Sequence, residues 1–214
     1  MIQGLSRMTF DLWLTFVAAS TALLLIPGPT VLLVLSYALS QGKRVAIASA
    51  SGVALGDFIA MSLSLAGLGA LVLASATLFT VLKWVGAIYL VWLGIKLLRA
   101  APSAALPSTD RAVQARSVFS HAAVVTALNP KSIAFFIAFV PQFITPSAPL
   151  LPQFAILIAT FVTLAAFNAF AYALAADRLR GWIGRESAIG WLTRAGGLTL
   201  IAMGALTALA RRTN

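Results

Sequence analysis

The sequence predicts an all-α polytopic membrane protein, with six transmembrane helices arranged as two inverted three-helix repeats. Three observations predict it. Of 214 residues, 61% are hydrophobic and only 9% charged, with a mean hydropathy of +0.99; a soluble domain carries about 25% charged residues. The apolar residues fall into six runs, each near the ~20 residues that a helix needs to cross the hydrocarbon core. Lys and Arg gather at alternate ends of those runs, as the positive-inside rule requires.

The runs are 12–39, 45–73, 78–98, 119–140, 153–175 and 188–209. The first carries no charge between Leu12 and Gly42. It continues well beyond the length of a signal peptide, and no A-x-A-type site follows it, which argues against cleavage. The second is charge-free except for Asp57. The third follows a turn at 74–77 and ends at the basic residues Lys96 and Arg99. A Pro/Ser-rich stretch then divides the chain, giving a first repeat at 1–101, a cytoplasmic linker at 102–118 and a second repeat at 119–214. The fourth run contains Asn129-Pro130-Lys131 and the fifth contains Asn168. The sixth follows the charged turn 177–186.

Lys43, Arg44, Lys96, Arg99, Arg111, Arg116, Arg178, Arg180, Arg185 and Arg194 fall on one side, against Arg7, Lys83, Arg211 and Arg212 on the other. The first group belongs inside, so both termini are expected outside. Three spans per half turn the second half over relative to the first, the geometry of an inverted repeat.

Composition also excludes. The net charge of +10 sits in loops, with no basic stripe and interleaved aromatics, so no nucleic acid is expected as partner. No cysteine is present, which removes disulfides and thiolate metal sites. His121 is the single histidine and lies near an end of its run, so neither a metal site nor a cofactor is expected. Asp57 is the one acid at mid-depth, whereas an intramembrane aspartyl protease needs two. The chain is not expected to be an enzyme.

Four features sit at matching depths of the two halves. Pro27-Gly28-Pro29 lies near the middle of the first run and Asn129-Pro130-Lys131 near the middle of the fourth. Asp57 and Asn168 lie near the middle of the second and fifth. Paired breaks in corresponding helices point to a transporter's midplane site. Proline lacks an N–H and clashes one turn back. Pro27 and Pro29 therefore free carbonyls near Leu23 and Leu25, and Pro130 does so near Thr126. Freed carbonyls need cations or donors, and exposed N–H groups need an anion; an amino acid zwitterion supplies both. A plain proline kink is the alternative.

A charge at the centre of a membrane helix costs about 2.5–3.5 kcal/mol on the insertion scale. Asp57 and Lys131 are thus expected to face a polar cavity, either as a structural ion pair or with Asp57 carrying a proton through the cycle. Gly52-x-x-x-Gly56 is expected to let another helix approach closely beside Asp57.

At these same residues the chain resembles the LysE/RhtB family of amino acid exporters. The matching stretches are PGPTVLLVLSYALSQGKR (27–44), GVALGD (52–57), LKWVGAIYLVWLGIKLLRA (82–100) and ALNPKSIAFFIAFVPQF (127–143). The resemblance covers nearly the whole chain and favours the threonine/homoserine branch over the lysine/arginine branch. It implies a multi-pass exporter of the bacterial inner membrane, driven by protons. Its signature positions fall on Pro27, Gly28, Pro29, Gly42, Asp57, Asn129, Pro130, Lys131 and Pro141. The chain departs from the family at Ala46, Ala122 and Thr126, where glycine, glycine and asparagine are common. The expected function is proton-coupled export of small neutral amino acids or derivatives, such as threonine, homoserine or its lactone. Pro27, Gly28, Pro29, Asp57, Thr126, Asn129, Pro130, Lys131 and Asn168 are expected at the transport site, and Gly52 and Gly56 in helix packing. Export of basic amino acids, or a cation channel or metal ion exporter, are the alternatives. Lipid, substrate and protons are the expected partners, and homo-oligomer formation stays open.

Overall fold

The structure, a computed structural model, describes residues 9–26, 28–41, 43–99, 114–145, 148–183 and 186–209. Pro27, Gly42 and most of the expected linker lie outside them. The described residues are helical almost throughout: α1 Phe10–Leu25, α2 Pro29–Gln41, α3 Lys43–Ala74, α4 Ala76–Arg99, α5 Ala115–Ala127, α6 Pro130–Ala138, α7 Leu150–Ile183 and α8 Glu186–Leu209. A 3-10 turn, Val140–Phe143, follows α6.

The helix ends have local causes. Thr9 caps α1 by accepting the Leu12 N–H at 3.3 Å. The turn expected at 74–77 shrinks to Ser75 alone, whose hydroxyl accepts the Leu78 N–H at 3.2 Å and so starts α4 at once. Asn129 accepts the Lys131 N–H at 3.1 Å and caps α6, with Pro130 in its first turn. α5 opens at Ala115, inside the stretch expected to be linker. α7 runs on to Ile183, through part of the expected charged turn.

Both expected breaks are present. α1 and α2 are bent by 56°, and α5 is bent by 43° from Pro130–Phe143. Among the described residues, α3, α4 and α7 each contain a segment long and apolar enough to cross a membrane, and counting each bent pair as one span makes five. The region of the sixth expected span contributes a shorter apolar helix, Thr193–Leu209.

Small residues set the helix crossings. A Cβ on Gly56 would lie 2.5 Å from the Ala123 carbonyl, and one on Gly52 would strike the Phe119 carbonyl, so α3 and α5 pack in parallel along these glycines. Gly94 and Gly197 face each other reciprocally, each with its Cβ position within 2.7 Å of the other's carbonyl. Gly204 meets the Ala87 carbonyl at 2.7 Å, which makes α4 and α8 antiparallel. α3 also packs on α7.

Two of the core clusters among the described residues are extensive. One is large and aromatic: Phe16 of α1, Met61 and Leu65 of α3, Phe135 and Phe136 of α6, and Phe161 of α7 are all fully buried. Phe136 meets Phe161 edge to face at 4.8 Å. The other is built from small residues, with Val34 of α2, Ala46 and Ala50 of α3, Ala122 of α5 and Ala173 of α7. The helix breaks lie where the two cores meet.

Candidate functional site

A cavity of about 430 Å³, its mouth included, opens at that junction. Its wall takes Leu23 and Leu24 from the end of α1, Thr30, Val31 and Val34 from α2, and Val53 and Asp57 from α3. Asn129, Lys131 and Ser132 come from the second break, and Ala165, Asn168, Ala169 and Tyr172 from α7. Both breaks and both polar mid-helix residues therefore meet at one place. Residues 105 and 108 positions apart in sequence are joined there: Lys131 Nζ donates to the carbonyls of Leu23 at 3.2 Å and Ile26 at 3.1 Å.

The end of α1 explains this bond. Ile26 N–H turns back to the Leu23 carbonyl at 3.2 Å, and no proline N–H follows to take the next carbonyls. The last carbonyls of a helix are unpaired and carry its negative pole. Lys131 takes two of them, and Asn168 Nδ2 takes the Leu24 carbonyl at 3.1 Å. Gly28 leaves room for the lysine, since a Cβ there would approach Nζ to 3.2 Å. The second break closes differently. Asn129 N–H donates to the Thr126 carbonyl at 3.0 Å, so the carbonyl expected to be freed by Pro130 is already paired.

Asp57 is 2% exposed and lines the cavity. Among the described residues no hydrogen bond reaches its carboxyl, and no cation lies within the 4 Å of an ion pair. No ion pair within 4 Å joins Asp57 to Lys131: the two charges share the cavity and act on each other through it, while the lysine's hydrogen bonds go to backbone oxygens. A buried carboxyl without a protein partner is costly, and it opens on a space that a ligand can fill.

The remaining expected residues fall in a second ring. Asn129 lines the cavity with both amide atoms engaged, Nδ2 donating to Thr30 Oγ1 at 3.1 Å and Oδ1 accepting from Lys131 N–H. Thr126 is fully buried behind Thr30, its hydroxyl 3.5 Å from the Thr30 hydroxyl and its Cβ against Gly56. Pro29 and Pro130 start α2 and α6 without lining the cavity. Pro27 lies outside the described residues. Sequence reasoning missed Thr30, Ser132 and Tyr172. Their signals were adjacency to a break for Thr30 and Ser132, and one helical turn from Asn168 for Tyr172. His121, set aside as a metal ligand, instead bonds Tyr37 Oη through Nδ1 at 2.9 Å. No group of three metal-ligating side chains occurs among the described residues.

α2 supplies the complement to Asp57. Its first-turn N–H groups at Thr30 and Val31 have no partner within the helix, and Gly28 before it has no side chain to cap them. Both residues line the cavity. The site thus offers a free carboxyl and the positive pole of a half-helix across one small, largely apolar space.

The profile of the LysE type translocator family matches residues 21–211. The chain is 37% identical over 204 residues to a homoserine/homoserine lactone efflux protein of Salmonella typhimurium, covering 95% of this chain and 99% of that protein. It is 33% identical to an uncharacterized membrane protein of Vibrio cholerae, over 95% of this chain and all of that protein. A leucine efflux protein of Salmonella choleraesuis is 35% identical over 136 residues, 63% of this chain and 64% of its own length. No solved structure matches.

Proposed function

The chain belongs to the LysE type translocator family, and from that premise we propose that it exports small neutral amino acids or their derivatives across the bacterial inner membrane, coupled to protons. The observation that carries this reading is the buried carboxyl of Asp57, without a hydrogen bond or ion pair among the described residues, facing a cavity between two broken helices. The α-ammonium of the substrate binds Asp57, and its carboxylate binds the N–H groups that open α2. The side chain rests against Val31, Val34, Val53 and Ala169.

The relatives support the order of these contacts. Homoserine and its lactone, named for one relative, share an α-ammonium, while only the open form has a carboxylate. Recognition of both therefore rests first on Asp57. Leucine, named for another relative, fits the valine-lined wall. A basic side chain fits poorly, because among the described residues Asp57 is the single acid lining the cavity and Lys131 repels a second ammonium.

Asp57 alternates between substrate ammonium and proton, which couples the two. Six spans in two inverted halves rock about the breaks, with both termini outside. Support comes from the packing of α3 on α7 and α4 on α8, since a two-fold axis maps each such pair onto itself. With the basic loops inside, the cavity lies on the cytoplasmic side of the aromatic core, where an exporter loads.

The test is competition in proteoliposomes that exchange labelled homoserine, using homoserine lactone, leucine, N-acetylhomoserine and lysine as competitors. The lactone and leucine are expected to compete, and N-acetylhomoserine, which has no ammonium, is expected not to. Equal competition by N-acetylhomoserine, or dominant transport of lysine, overturns the reading.

A further inference from the structure

The end of α1 holds a cation, and that cation is part of the chain. Leu23 and Ile26 present their carbonyls to Lys131 Nζ at 3.2 and 3.1 Å, from a helix break more than 100 residues away in sequence. Asn168 pairs the Leu24 carbonyl between them. Carbonyls at the C-terminal end of a half-helix are the arrangement that coordinates a monovalent cation in a broken-helix transporter. Gly28 completes the fit by leaving the space through which the lysine reaches.

We propose that the end of α1 is a monovalent-cation site whose resident occupant is the Lys131 ammonium. The side chain then does what a bound alkali ion would do. It satisfies the negative pole of α1 and ties the break of the first half to the break of the second. It also accounts for the free carboxyl: Lys131 answers the backbone, so Asp57 is left for a ligand. Asp57 from α3 and Tyr172 from α7 are the other titratable side chains lining the cavity, and neither is hydrogen-bonded to the lysine.

The test removes the tether and supplies the cation from solution. Lys131→Ala deletes three carbons and the ammonium, the shape of propylammonium. Purified Lys131→Ala and wild type are melted in detergent while titrated with propylammonium, sodium or tetramethylammonium, and homoserine exchange is measured in liposomes under the same conditions. Loss of two charge-assisted hydrogen bonds is expected to slow exchange about tenfold or more. Propylammonium is expected to raise the melting midpoint of Lys131→Ala and restore exchange, with no shift in wild type. Tetramethylammonium has no N–H to donate and is expected to be inert. Lys131→Met, which fills the space with an uncharged chain, is expected to fold, to be comparably slow, and to respond to no cation.

The proposal fails if no cation stabilises Lys131→Ala, if tetramethylammonium matches propylammonium, or if Lys131→Met exchanges like wild type. It rests on reading this cavity as the transport site, yet the melting readout needs no substrate. Cation-dependent melting without amino acid exchange in wild type sinks the substrate reading alone. Exchange in wild type without cation rescue sinks this proposal alone.

Discussion

Gly56→Ala tests the packing that holds Asp57 in place. The added Cβ needs 3.4 Å for ordinary contact and finds the Ala123 carbonyl at 2.5 Å and Thr126 Cβ at 2.7 Å. The obstacles are backbone and a fully buried side chain, so α3 and α5 must part by about 0.9 Å locally. Overpacking of this kind costs about 1–3 kcal/mol. The better helix propensity of Ala returns about 0.5–1 kcal/mol, which leaves a net cost of up to about 2.5 kcal/mol. Gly67 on the same helix is the control, because a Cβ there meets nothing within 4 Å; Gly67→Ala is expected to show the propensity gain alone. The assay is equilibrium unfolding of both variants in mixed micelles, with homoserine exchange measured alongside. Gly56→Ala should also slow exchange, since Thr126 moves against Thr30 at the cavity wall. The reasoning is refuted if Gly56→Ala proves as stable as Gly67→Ala, or if the control loses as much.

Thr30→Val keeps the shape of the side chain and removes the acceptor for Nδ2 of Asn129, which is only 3% exposed. It is expected to cost about 1–3 kcal/mol in unfolding and to weaken homoserine binding, while Thr30→Ser recovers most of both. Gln153 accepts the Thr145 N–H at 2.8 Å and donates to the carbonyls of Thr145 and Pro149, tying Thr145 to the start of α7. Gln153→Leu is expected to speed amide hydrogen exchange at Thr145 and leave homoserine affinity unchanged, because Gln153 lies away from the cavity.

The helix breaks were legible because proline acts locally: its missing N–H and its clash one turn back need no tertiary information. Asp57, Lys131 and Asn168 were legible for the opposite reason, standing out as polar groups in apolar runs. Which of them touch could not be read. An attraction between Asp57 and Lys131 is plausible from charge alone, yet the lysine bonds carbonyls at the end of α1, a choice fixed by how the two halves meet. Thr30 and Ser132 were hidden because short hydroxyl side chains are common in membrane helices and can bond their own backbone, as Thr207 does to the Met203 carbonyl at 2.8 Å. Gly52 and Gly56 announced a crossing by their spacing. Gly94 and Gly197 did not, since their pairing depends on topology across about half the chain.

The most direct measurement compares wild type with Asp57→Asn in liposomes, following labelled homoserine with and without an imposed pH gradient. Asp57→Asn keeps the shape at the cavity and removes both the charge and the ability to carry a proton. The account predicts gradient-driven homoserine flux in wild type and none in Asp57→Asn, from protein that folds normally. Wild-type flux and gradient dependence in Asp57→Asn would contradict it.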